Sequence, residues 1–168
     1  MLGAMSPLPY LLGYPPELQQ HAEALLKSGT LAANLAQRYP GKHDVRSNKA
    51  LSAYVQETKA RHMKTAAPLG EVVFDNRLHT AHNALGLHVT STRVQGAKLR
   101  KRRTMRVASL FKDTPPEFLR MIVVHELAHM KHADHDRAFY KLCCHMEPEY
   151  HQLEFDLRLY LTARELES

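Results

Sequence analysis

Apolar residues crowd the stretch Phe118–Met130 so densely that no polar face remains: Phe118, Leu119, Met121, Ile122, Val123, Val124, Leu127, Ala128 and Met130. A helix that is apolar nearly all round belongs in a core. Thr114-Pro115-Pro116-Glu117 in front of it reads as a capping box, with Thr114 at the N-cap, Pro115 at N1 and Glu117 at N3. Its end is expected at Lys131–Asp134. Three helical patterns precede it. One runs from Glu17 to Lys27 and is closed by Ser28-Gly29; the next runs from a Thr30 cap to Tyr39-Pro40-Gly41. The third starts from a Ser47 cap, with Leu51, Tyr54, Val55, Thr58 and His62 at helical spacing. Pro68-Leu69-Gly70 then breaks the pattern, and Glu71–Phe74, Leu85–Ser91 and Thr104–Leu110 are expected as short strands. After the core helix come Asp136–Met146 and a last helix from Pro148, striped by Leu153, Leu157, Tyr160 and Leu161. The fold class predicted is α+β: a small β-sheet packed on a buried helix, with helices at both ends. One domain over 1–168 is expected, with a helical part at 1–67 and a catalytic part at 68–168.

Inside the core helix stands His125-Glu126-Leu127-Ala128-His129, an H-E-x-x-H pattern. Residues four apart share a helical face, about 5–6 Å between Cβ atoms, so His125 and His129 can direct ring nitrogens at one Zn²⁺. Glu126, one step round the helix, is free to act as general base on a water activated by the metal. Two histidines and a glutamate in an apolar helix carry a heavy desolvation cost unless something satisfies them, and a metal ion does so economically. A catalytic site needs a third protein ligand. His135 leads, because its spacing from His129 matches the metzincin pattern, although His132 stands where that pattern has Gly and a different turn geometry is expected. His132, Glu147, Glu149 and Glu154 are the rivals.

At this point the residues resemble a known family. Thr114–Leu119, Ile122–His132, His135–Tyr140 and His145–Tyr150 are similar, in that order, to the YgjP-like metal-dependent hydrolases. These belong with the SprT-like proteins among zincin-type metallopeptidase folds. The resemblance covers residues 104–151. It implies a zincin-like fold with His125, His129 and His135 as zinc ligands and Glu126 as the catalytic glutamate. The chain departs from the pattern in two places. It has no Trp, so the family's Trp-containing strand is replaced by Thr92–Thr104, and its usual Phe-Trp after the third ligand is Phe139-Tyr140. The resemblance therefore carries the metal site and not the substrate site.

Composition adds a frame. The chain is 44% hydrophobic, with no apolar run near the length of a membrane span. No basic region followed by an apolar segment opens it, so cytoplasmic residence and no membrane partner are expected. Cys143 and Cys144 are adjacent in an expected helix, which disfavours a disulfide between them and suits packed thiols. Oligomeric state has no signature here. The basic run Lys98, Arg100, Lys101, Arg102, Arg103 and Arg106 supplies much of the net charge of +6. It reads either as a solvated hairpin or as a surface that attracts a polyanion. Arg102, Arg103, Arg106 and Tyr140 are accordingly candidate substrate or anion contacts.

Three functions follow as expectations. The first is a zinc metallopeptidase acting on a peptide or protein. The second is a nucleotide pyrophosphatase on the same metal site, an activity the resemblance includes and the basic run favours. The third is a nucleic-acid-binding module that uses the basic run 98–106, with a structural metal closed by a fourth ligand such as His132 or Glu154.

Overall fold

The computed structural model describes residues 9–78 and 104–167. The chain forms two compact units: one is Lys42–Tyr150, the other the chain up to Gly41 together with the segment from His151.

The Lys42–Tyr150 unit is built on three helices and a pair of strands. Helix α3 (Asn48–His62) starts where Ser47 accepts a hydrogen bond from the Ala50 N–H at 3.1 Å, as its sequence predicts. It packs on strand β1 (Val72–Asp75), and its Leu51 and Val55 are buried. Strand β2 (Met105–Ala108) pairs with β1 in parallel, with Val72 opposite Met105 and Asp75 opposite Ala108. The expected strand Leu85–Ser91 lies outside the described residues. After β2 the chain tightens into a 3₁₀ turn, Ser109–Lys112, instead of continuing extended to Leu110. The turn drives Phe111 fully into the core, where truncation to Ala would cost about 3–5 kcal/mol. His43 clips this turn to the start of the unit: its Nε2 meets the Phe111 carbonyl at 2.8 Å, and its Nδ1 accepts from the Val45 N–H.

Helix α4 (Pro116–Ala128) is the apolar helix of the sequence, and every residue from Met121 to Ala128 is buried. It packs against α3, β2, the 3₁₀ turn and helix α5 (Arg137–Met146). The capping box is one residue out of place. Pro115, followed by Pro116, is held extended at φ −52°, ψ 150°, so the helix starts at Pro116 with Pro115 as its N-cap. Thr114 Oγ1 donates to the Phe111 and Pro115 carbonyls rather than capping an amide. Asp136 caps α5, accepting from the Phe139 N–H at 2.9 Å.

In the other unit, helices α1 (Pro16–Lys27) and α2 (Leu31–Arg38) pack with the body of helix α6 (Tyr150–Glu167) around Leu11, Ala22, Leu31, Leu35, Leu159 and Ala163. This shared core is why the C-terminal segment groups with the N-terminal one. Gly29, at φ +71°, lets α1 end in a Schellman turn: its own N–H reaches the Leu26 carbonyl and the Thr30 N–H reaches that of Leu25. Buried Asp156 accepts from Arg38, Gln152 and the Tyr39 hydroxyl. The last helix begins at Tyr150, two residues after the expected Pro148. Mixed helices and a small sheet make an α+β fold, and no helix among the described residues is long and apolar enough to cross a membrane.

Candidate metal centre

The site grows from the C-terminal end of α4. His125 and His129, one turn apart, present their Nε2 atoms to each other at 3.2 Å. The third histidine arrives by a turn that needs no glycine. His129 ends the helix in the right-handed region, and the Met130 and Lys131 amides reach back three residues to the Leu127 and Ala128 carbonyls. No non-glycine residue among those described has a positive φ, so the Cβ of His132 meets no backbone conflict. This turn brings His135 Nε2 to 3.0 Å from His129 Nε2. One ligand atom from each histidine then lies within 4.8 Å of the others.

The donor set fits a metal ion. Three imidazole nitrogens around a tetrahedral zinc at about 2.0–2.1 Å would stand roughly 3.3 Å apart, close to the two separations observed. The tautomer of His129 agrees. Its Nδ1 lies 3.0 Å from the His132 carbonyl, which can only accept, so Nδ1 carries the proton and the Nε2 lone pair faces its two neighbours. His125 Nδ1 meets the Tyr150 hydroxyl at 2.7 Å. His125, Glu126 and His129 are 4, 3 and 7% exposed, whereas His135 is exposed, so the cluster opens toward solvent on the His135 side. Phe139, fully buried, places its ring 5.1, 4.6 and 5.0 Å from the rings of His125, His129 and His135, an apolar backing for all three.

The other expected site residues fall variously. His132 contributes its carbonyl to His129, and its side chain is not part of the cluster. Glu147 is held by Arg120 through two hydrogen bonds, and Glu154 pairs with Arg158 along its own helix. Among the described residues the cluster therefore has three donors. Tyr140 is half-buried, its ring 6.4 Å from that of His135. Arg106 Nη1 donates to buried Asp75 at 2.9 Å, and Arg77 holds the same carboxylate from its side chain and its backbone. Arg102 and Arg103 lie outside the described residues. Cys143 is buried and in no disulfide, and burial raises the thiol pKa of its neighbour Cys144.

Sequence reasoning assigned no role to Tyr150, Phe139 or Arg120. Tyr150 is 25 residues from His125 in the chain, a separation that no helical or strand periodicity marks.

A buried helix with two histidines and a glutamate, and a third histidine brought alongside by the following turn, offers a donor set that could hold a metal ion, as a metal-dependent hydrolase requires. Residues 9–160 match the model of the YgjP-like metallopeptidase domain, and the chain belongs to that family. It is 52% identical over 162 residues to the Escherichia coli (strain K12) protein named UTP pyrophosphatase, across 96% of this chain and 97% of that one. No solved structure matches it significantly.

Proposed function

We propose that this chain is a metal-dependent nucleotide pyrophosphatase that hydrolyses a phosphoanhydride bond of a nucleoside triphosphate, with UTP the first substrate to try. The observation that carries this reading is the 52% identity, over nearly the full length of both chains, to a protein named for that activity. It replaces peptide hydrolysis as the leading expectation.

His125, His129 and His135 would hold the metal. Three imidazoles suit zinc better than magnesium, which prefers oxygen donors. When bound, such an ion supplies positive charge against the phosphoryl oxygens, where negative charge grows in the transition state. Glu126, beside His125 on the same helix, accepts a proton from the attacking water. Hydrolysis forms a bond from the water oxygen to the α-phosphorus and breaks the bond to the bridging oxygen. The products are a nucleoside monophosphate and pyrophosphate, to which Glu126 returns the proton. Arg102, Arg103, Arg106 and Tyr140 are the proposed contacts for phosphate oxygens, the arginines through charge and paired N–H donors. The histidine-bearing helix and its adjoining sheet are read as a zincin-like core.

The test is pyrophosphate release from UTP and the other nucleoside triphosphates by wild type and Glu126→Gln, with metal content measured on both. Wild type is expected to turn over, and the variant to keep its metal and lose about 10²–10⁴-fold in rate. An active Glu126→Gln protein would remove the general base from this account. The family's description as a metallopeptidase domain favours a second reading, peptide hydrolysis. Casein cleavage without pyrophosphate release from any nucleotide would establish it in place of the first.

A further inference from the structure

Tyr150 is among the largest fully buried side chains of the protein, yet it carries a hydroxyl that must be accommodated. That hydroxyl sits 2.7 Å from His125 Nδ1, with the two rings inclined by only 19°. The tyrosine is itself fixed at its backbone. Its N–H donates to the Glu147 carbonyl at 3.0 Å, and the Glu147 carboxylate is gripped by Arg120, which precedes His125 on α4. Helix α4 therefore meets the segment Glu147–Tyr150 at two points, and the second is a ring nitrogen of the triad.

We infer that Tyr150 is a positioning residue for His125: its hydroxyl fixes the orientation of the imidazole and lets Nε2 present a lone pair to the metal. The inference rests on reading the triad as a metal site. A neutral imidazole carries one proton, and the partner of one nitrogen decides what the other can do. The two buried histidines differ in this respect. His129 Nδ1 faces a backbone carbonyl, an acceptor only, so its proton is permanently on Nδ1. His125 Nδ1 faces a hydroxyl, which both donates and accepts.

With Nε2 given to a metal, a neutral His125 carries its proton on Nδ1, and the Tyr150 hydroxyl oxygen stands in place to accept it.

The experiment compares wild type with Tyr150→Phe, which keeps the ring and removes the hydroxyl. Zinc affinity is measured by competition with a chromophoric chelator, and the imidazole protons are followed by ¹H–¹⁵N NMR with and without zinc. Tyr150→Phe is expected to bind zinc about 10–100-fold more weakly, the usual effect of losing a ligand's hydrogen-bond partner. Zinc-loaded wild type is expected to show a slowly exchanging His125 Nδ1–H. Thermal unfolding of the chelated proteins separates this from general damage. If the chelated variant fails to fold, the wild-type spectra decide alone, and a zinc-loaded wild type without a protected His125 Nδ1–H overturns the inference. Equal zinc affinity in the two proteins, with the His125 signals unchanged, overturns it too and leaves the metal site standing. A wild type that binds no zinc removes the metal site and this inference with it.

Discussion

Arg120 holds Glu147 with two nitrogens, Nε to Oε2 at 3.0 Å and Nη2 to Oε1 at 3.3 Å. The carboxylate is largely shielded and the guanidinium is partly open to solvent, so the pair is worth less than a fully buried one. Its place matters more than its strength, because it ties α4 to the segment that delivers Tyr150. Glu147→Gln is expected to lower stability by about 1–2 kcal/mol in urea unfolding. It should weaken zinc binding less than Tyr150→Phe does, because the hydroxyl remains.

The two kinds of histidine in the triad should separate in stability measurements. His135 is exposed, and His135→Ala should leave the metal-free protein's unfolding midpoint nearly unchanged while abolishing tight zinc binding. His125 is buried against Tyr150 and Phe139, so His125→Ala should abolish binding and also cost about 1–3 kcal/mol in the metal-free protein. Chemical denaturation with a chelator present checks both.

Phe139 touches the rings of all three histidines. Phe139→Leu preserves an apolar filling but loses the flat surface that backs the imidazoles, so zinc affinity should fall about tenfold or more. Stability should drop by under about 1.5 kcal/mol. A loss of stability without loss of affinity in chelator competition would mean that the ring only fills space.

Zinc at about 100 times its dissociation constant should stabilise the protein by about 2.7 kcal/mol. For a chain of this size that is an increase of roughly 5–10 °C in Tm, visible in a thermal scan with and without chelator. His135→Ala should show no such increase.

Asp75 gives a pH dependence of known sign. The Arg77 side chain first, its backbone N–H next, and Arg106 together hold this carboxyl well below the usual carboxylate range, against the opposing effect of burial. A pKa depressed in the folded state contributes stability above the unfolded value of about 3.9, and that stability is lost as pH falls below it. Asp75→Asn should therefore be less stable than wild type at pH 7, and the gap should narrow through the acid range in a series of urea titrations.

What the sequence determined is what neighbours in the chain decide. The spacing of His125 and His129 puts them on one face because a helix repeats every 3.6 residues, and the structure has them there at 3.2 Å. Ser47 and Asp136 cap their helices because each needs only an amide three residues on. The all-apolar stretch is buried because no face of it could meet water at low cost. Even the misplaced helix start at Pro116 has a local cause, the restraint one proline places on the residue before it.

Tertiary structure decided the rest. The parallel pairing of β1 with β2, the grouping of α3 with the catalytic half, and the joining of the two chain ends in one unit are choices among packings of similar apolar segments. The triad's support is of the same kind. Tyr150, Phe139 and the Arg120–Glu147 pair reach the histidines across turns and helix contacts, and nothing in their spacing marks them. A helix fixes the direction of a side chain within a turn or two of itself. Which distant group meets that side chain depends on the burial summed over the whole unit, and this is where the partner of His125 Nδ1 was chosen.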